Sequence, residues 1–376
     1  MEIVIKRHLE AVLRNNIGKN KVLLIFGTRR VGKTWLIEDL LNNDNRAKLL
    51  LNGEDQDVQA LLANRSKANY ARVLGDTTLL AIDEAQAIPE IGKVLKLMID
   101  SFKQLTIIAS GSSAFDLSNQ TGEPLTGRSL TYNLFPIAQL ELNENLLQTK
   151  QNLEERLIFG SYPEVFKIPT LKEKTIYLNE LVRSYLLKDV LIYEQVQNAA
   201  KLLELLKLIA FQVGSEVSTD ELSKTLSISK NTIVRYMDLL SKVFIIYKVG
   251  GYSSNLRKEV TKSSKWYFYD NGIRNALIND FRLLALRNDH GLLWENYCLA
   301  ERIKRNHYLQ NNAQYYFWRT YDQQEIDLVE ETNGNLLAID FKYGKGKKKV
   351  PTFFAKNYPN IPFDIINTEN YLDFIL

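Results

Sequence analysis

Gly27-Thr28-Arg29-Arg30-Val31-Gly32-Lys33-Thr34 fills every fixed position of the phosphate-loop pattern G-x-x-x-x-G-K-[ST]. Its flanks fit the pattern too. Lys21-Val22-Leu23-Leu24-Ile25-Phe26 reads as a buried strand, and Trp35-Leu36-Ile37-Glu38-Asp39-Leu40 as the start of a helix. Strand, loop and helix in that order aim backbone N–H groups at bound phosphates. Lys33 adds a charge for the β- and γ-phosphates, and Thr34 offers a hydroxyl to Mg²⁺. Glycine at 27 and 32 permits backbone turns that a Cβ would obstruct. Residues 27–34 are therefore expected to bind a nucleoside triphosphate, ATP, with Mg²⁺. Arg29 and Arg30 would touch phosphate or a neighbouring domain; the sequence leaves both open.

Working outward, 376 residues are too many for one ordinary domain, and 45% apolar content supports well-packed cores. The net charge of +4 permits nucleic-acid contact without arguing for it. Cys298 is the single cysteine, so no internal disulfide forms, and it is expected to pack as a small hydrophobe. His8, His290 and His307 have no zinc spacing. The first residues lack the apolar stretch of a signal peptide, and no apolar run reaches membrane-spanning length. A reducing cytoplasm and no membrane partner are the expectation.

Residues 1–140 alternate short apolar strands with helical stretches, the pattern of an α/β domain with a parallel sheet, and strands are expected at 21–26, 47–51, 78–82 and 105–109. Leu79-Leu80-Ala81-Ile82-Asp83-Glu84 is an apolar strand ending in two carboxylates, the Walker B arrangement. Asp83 would hold Mg²⁺ directly or through water, and Glu84 would position or deprotonate the attacking water. Such chemistry suits hydrolysis better than a small-molecule kinase. A strand at 105–109 runs into Ser110-Gly111-Ser112-Ser113, where Ser110 is the candidate γ-phosphate sensor, a turn serine being the alternative. Arg128 is either a surface arginine or one that reaches a triphosphate, in its own chain or, as is often so, across a subunit boundary, which would require a homo-oligomer.

Several motifs, in order, resemble one group of prokaryotic AAA-type ATPases. They are Ile5-Lys6-Arg7, Phe26 to Thr34, Ile82-Asp83-Glu84-Ala85-Gln86, Ser110 to Ser113, Leu125-Thr126-Gly127-Arg128, Phe159-Gly160-Ser161-Tyr162-Pro163-Glu164 and Tyr185 to Val190. The resemblance spans nearly the whole chain. It implies ATP binding and a P-loop NTPase sheet, followed by a winged helix and a C-terminal domain of the PD-(D/E)xK nuclease type.

The middle of the chain reads accordingly. Helical patterns at 180–187 and 201–209 suggest a lid or connector. Ser218-Thr219-Asp220-Glu221 has capping-box form, Ser229 would cap a second helix, and Ile233, Met237 and Leu240 would face the core. Lys230, Asn231, Thr232, Arg235 and Tyr236 are left for the outer face. Strands at 243–249 and 265–269 would form a wing whose tip carries Arg257, Lys258 and Lys262 against Glu259. In a helix-turn-helix with a wing, the second helix would enter a DNA major groove through Lys230, Asn231, Thr232 and Arg235. The alternative is a module that packs on the ATPase and touches no DNA.

In the last part, a helix at Trp294–Glu301 precedes strands at 315–319, 325–329 and 336–342. Asp327 followed by Asp340-x-Lys342 has the D…(D/E)-x-K spacing, with Ile326 where the family name has proline. Two carboxylates on adjacent strands would hold a divalent metal, and period-2 alternation puts Asp340 and Lys342 on one face. Lys342 would orient water and stabilise charge on phosphorus, Glu295 or Glu301 could complete the metal site, and six lysines from 342 to 356 could contact phosphates. A scaffold that binds nucleic acid or a partner without metal chemistry is the competing reading. The expected division is an ATPase core at 1–145, a helical connector at 146–215, a winged helix at 216–275 and a restriction-endonuclease-like α/β domain at 283–376. ATP would gate the last domain's action on DNA, or ATP would gate binding by a catalytically inactive nuclease-like fold.

Overall fold

The computed structural model of the chain describes residues 5–111, 125–185, 198–253, 264–320, 322–345 and 349–376. Ser112 and Ser113, residues 186–190, the tip arginine and lysines of the expected wing, and Lys347 and Lys348 lie outside the described residues.

Five strands, β1 (Val22–Phe26), β2 (Lys48–Asn52), β3 (Leu79–Asp83), β4 (Thr106–Gly111) and β5 (Ser129–Asn133), form a parallel sheet in the order β2-β3-β4-β1-β5. β1, β3 and β4 are buried at every position, as parallel strands covered on both faces should be. The first four strands lie within one or two residues of their expected positions; β5 carries no comparable apolar run. The phosphate loop leaves the C-terminal end of β1, beside the ends of β3 and β4, where such sheets bind their ligands.

Helices Leu146–Phe159, Leu171–Glu180 and Ala199–Phe211 follow, the second continued by a π-turn over Leu181–Tyr185. Next come the helices Thr219–Leu226 and Lys230–Lys242. Ser218 and Ser229 cap them by accepting the N–H groups of Glu221 and Thr232. Ile233, Met237 and Leu240 are buried, and so is Tyr236. The outward placement of Tyr236 is thereby corrected: at i+3 from Ile233 it falls inside the roughly 100°-wide apolar stripe of the helix.

The second sheet contains β6 (Glu216–Val217), β7 (Ile246–Gly251), β8 (Ser264–Phe268), β9 (Ala313–Arg319), β10 (Glu325–Thr332), β11 (Asn335–Lys342) and β12 (Phe363–Asn367), ordered β12-β11-β10-β9-β7-β8-β6. β7 and β8 are the expected antiparallel hairpin. They do not stand apart from the C-terminal strands. Gly250 and Gly251 pair in parallel with Tyr316 and Phe317, so hairpin and C-terminal strands make one sheet.

The cores merge in the same way. One apolar cluster runs from Leu23 and Ile25 under the first sheet, through Leu157 and Leu205, to Leu299 and Leu328. Cys298 packs inside it, fully buried, as expected of a lone apolar cysteine. Among the described residues, no helix is long and apolar enough to cross a membrane.

Candidate functional sites

At the phosphate loop, glycine is required twice for different reasons. A Cβ on Gly27 would stand 2.3 Å from the Leu134 carbonyl oxygen, and Gly32, which caps the helix Lys33–Asn42, has φ of +93°. Lys33 is buried, and its ammonium donates to the carbonyls of Gly27 (2.9 Å) and Thr28 (3.1 Å). The Thr34 hydroxyl donates to Asp83 Oδ2 at 2.6 Å. Ser110 donates to the other Asp83 oxygen and accepts the Glu84 N–H at 3.2 Å. One hydrogen-bonded line thus joins the first turn of the helix Lys33–Asn42 to the ends of β3 and β4. Thr34 and Asp83 present a hydroxyl and a carboxylate to the same point, a donor pair that fits Mg²⁺.

Glu84 leaves β3 in the left-handed region, φ +48°. Its carboxylate accepts from the Gln86 side-chain amide. Gly53 lets this turn form, since a Cβ there would lie 2.4 Å from the Glu84 carbonyl oxygen. A cavity of about 320 Å³ opens over Lys33, Thr34 and Glu84 and extends to apolar walls made by Ile5, Ile137 and Tyr177. Its size and lining suit a base beyond the phosphates.

Arg7, which the motif Ile5-Lys6-Arg7 left without a role, lies under the loop. The buried guanidinium donates to the carbonyls of Val31 (2.7 Å) and Phe135 (2.7 Å), to Glu141 (3.0 Å) and to the Tyr308 hydroxyl (3.2 Å). Tyr308 ends the helix His290–Tyr308 of the C-terminal region, so one side chain ties that region to the phosphate loop. Beside it, His307 Nε2 accepts the Asn133 N–H at 3.0 Å; burial lowers its pKa to about 4 and keeps it neutral. Further along, Asp270 accepts the Ser161 N–H at 2.6 Å, and a Cβ on Gly160 would collide with its carboxylate. That close approach gives Gly160-Ser161 in the Phe-Gly-Ser-Tyr-Pro stretch a physical reason.

Arg29 lies 3.8 Å from Glu54, and Arg30 is exposed at the mouth of the cavity. Arg128 is elsewhere. Its carbonyl accepts the Val22 N–H at the N-terminal end of β1, opposite the phosphate loop, and its guanidinium pairs with Asp100 at 2.7 Å. Five residues of extended strand, about 16 Å, separate the two ends. Contact between Arg128 and a triphosphate in the same chain is therefore corrected; only a neighbouring copy could receive it.

The C-terminal candidates do come together. Leu328 pairs with Ile339, which sets Asp327 across from Asp340. Against β9, residues Asp327 and Leu328 oppose Phe317 alone, a bulge that re-aims the Asp327 side chain. Asp327 Oδ2 accepts the Phe341 N–H at 2.8 Å, and Lys342 Nζ is 4.0 Å from Asp340 Oδ2. Burial, then the charge of Asp327, pushes Asp340 up to about 6. Burial also raises Asp327, and burial with the Asp327 charge raises Glu295 well above the ordinary carboxylate range. Glu301 is not in this cluster; it pairs with buried Lys304 and accepts the Gln139 N–H.

Among the described residues, no group of three or more His, Cys, Asp or Glu side chains is arranged to hold a metal. Asp327 and Asp340 are a pair, which suffices for Mg²⁺ that keeps most of its waters. On the helix Lys230–Lys242, Lys230, Asn231 and Arg235 are exposed and Thr232 half-buried, with Lys230 paired to Asp220.

Comparison with known proteins divides the chain in three. Residues 19–143 match the AAA domain family, residues 150–283 a domain of unknown function (DUF8612), and residues 290–368 another domain of unknown function (DUF4143). The chain is 26% identical over 344 residues to an uncharacterized protein of Mycobacterium tuberculosis, covering 90% of this chain and 74% of the relative. An uncharacterized protein of Methanocaldococcus jannaschii is 24% identical over 371 residues, covering 93% and 81%. Among solved structures, the Walker-type ATPase of Pyrococcus abyssi aligns with a TM-score of 0.50 and 17% identity over 73% of this chain and 96% of its own. Residues 19–143 are thus AAA-like in sequence and carry a P-loop NTPase sheet, and the likeness to the Pyrococcus protein is one of fold.

Proposed function

We propose that this chain binds and hydrolyses ATP and uses the nucleotide to control its C-terminal sheet. The observation that carries this reading is the hydrogen-bonded line Thr34–Asp83–Ser110–Glu84 beneath a complete phosphate loop. Lys33 and the loop N–H groups would bind the phosphates, while Glu84 takes a proton from water. Thr34 and Asp83 would hold Mg²⁺, which when bound neutralises charge on the β- and γ-oxygens. Lys33→Ala and Glu84→Gln should each abolish ATP turnover, measured as phosphate release. Undiminished release in both sinks the assignment.

The target of that control is nuclease-like in its donor set: Asp327 and Asp340 for a metal, Lys342 for water and phosphate charge. Exposed Lys230, Asn231 and Arg235, with Thr232, would supply donors to DNA. Asp340→Ala should remove Mg²⁺-dependent cleavage of DNA. If the wild type cuts no nucleic acid with any metal or nucleotide, the second reading stands, an ATP-gated binding protein with an inactive nuclease-like fold. The merged sheet and Arg7 favour control by rigid coupling in either case. An Arg128 that acts on nucleotide would do so in a homo-oligomer, across a subunit boundary.

A further inference from the structure

Lys265 was not among the expected site residues, yet its side chain lies in the middle of the carboxylate cluster. It comes from β8, the hairpin of the middle region, and is 2% exposed. Its ammonium forms an ion pair with Glu325, stands 3.8 Å from Glu295 Oε1, and lies 5.4 Å from the Phe317 ring centroid. Phe317 is the residue that opposes the Asp327 bulge. Glu295 is held from a second side by the Tyr267 hydroxyl, at 2.6 Å, also from β8. Burial works against the charge on Lys265, but Glu295 and Glu325 outweigh it and keep the ammonium protonated.

We propose that Lys265 is the resident cation of this cluster, seated against Glu295 and Glu325 where a divalent ion would otherwise be drawn. The inference rests on reading Asp327 and Asp340 as the metal-holding pair. A divalent ion beside a buried ammonium meets like charge at ion-pair range, so the two exclude each other from the inner seat. Metal is thereby confined to one ion at the outer pair, Asp327 and Asp340. Glu295 serves the lysine and is a positioning residue. The seat is shared between two regions of the chain, since the cation comes from the hairpin and its partners from the helix His290–Tyr308 and β10.

The test is a titration of the full chain with Mn²⁺, following free Mn²⁺ by electron paramagnetic resonance. Lys265→Met should tighten Mn²⁺ binding at least tenfold, and adding Glu295→Gln to that variant should cancel the gain. Mn²⁺ should also raise the melting temperature of Lys265→Met by more than it raises that of the wild type. The proposal is overturned if Lys265→Met binds Mn²⁺ no more tightly than the wild type. It is equally overturned if Glu295→Gln alone removes wild-type binding as completely as Asp340→Asn does. Should Lys265→Met fail to fold, the triple variant with Glu295→Gln and Glu325→Gln must fold, because the ammonium and both of its carboxylates are then gone; if it does not, the lysine is not the cation of this seat and the proposal is overturned. A wild type that never cleaves DNA, with Mn²⁺ gained in Lys265→Met, defeats the nuclease reading and keeps this one. A wild type that cleaves and loses Mn²⁺ on Glu295→Gln does the reverse.

Discussion

Two acidic sites lie in this chain, and they are built on opposite plans. At the phosphate loop, Asp83 and Glu84 sit at the end of a fully buried strand, and their partners are hydroxyls and N–H groups. Positive charge comes from Lys33, which is held by carbonyl oxygens of its own loop. At the C-terminal cluster, Asp327 stands across from Asp340, burial raises the proton affinity of both, the charge of Asp327 adds to it at Asp340 and at Glu295, and Lys265 enters from another region against Glu295. At the first site the polar groups come from the phosphate loop and the ends of two strands of one sheet. The second is complete only when the hairpin is docked. A local motif can specify the first; the second needs the tertiary fold.

The largest effect expected to sharpen this contrast is in turnover. Glu84→Gln should lower ATP hydrolysis by about 10²–10⁴-fold, the usual range for losing a general base, while nucleotide binding persists. Equilibrium binding of a fluorescent ATP analogue checks the second half. Loss of binding along with turnover would make Glu84 a structural part of the loop and break the comparison.

Arg7 is the next lever, because it belongs to both halves. Arg7→Ala leaves Glu141 buried without its cation, at a cost of about 3–5 kcal/mol. Urea unfolding should report that loss, and ATP affinity should fall with it because the Val31 carbonyl loses its strut. A variant as stable as the wild type would mean that the two regions are not joined through this residue.

His307 should give the smallest effect, and a pH-dependent one. Its folded pKa of about 4 lies below the ordinary 6.5. The unfolded chain therefore binds the proton more readily, and stability from neutral His307 is complete above pH 6.5 and is lost as pH falls towards 4. The loss is at most about 3 kcal/mol. Unfolding curves of wild type and His307→Gln between pH 7.5 and 4.5 should converge as pH falls. Parallel curves would remove His307 from the contact with Asn133.

Much of the first site was legible because its information is local. A glycine-lysine loop between a buried strand and a helix needs no distant partner to be recognised, and Asp83-Glu84 ends a run of apolar residues. The caps Ser218 and Ser229 were legible for the same reason. Arg7, Glu141 and Tyr308 were not, since residues 134 and 301 positions away from Arg7 meet it only after folding. Lys265 reads as an ordinary strand lysine until β8 is set beside β7 and β7 beside β9. In the C-terminal cluster the residue types were readable, but the bulge at Asp327 depends on pairing with β9. Which of its two readings Arg128 follows was not legible, because its motif says nothing about which end of β1 it faces.

The pairing of Gly250 and Gly251 with Tyr316 and Phe317 bears on how such a chain can change over generations. The stretch from 283 onward looks like a cassette that could be exchanged between proteins. Cut there, it would present the open edge of β9, a row of unpaired N–H and C=O groups that invites strand-to-strand association. Any viable exchange must carry the β7–β8 hairpin along with it, so the heritable unit is wider than its sequence boundaries suggest.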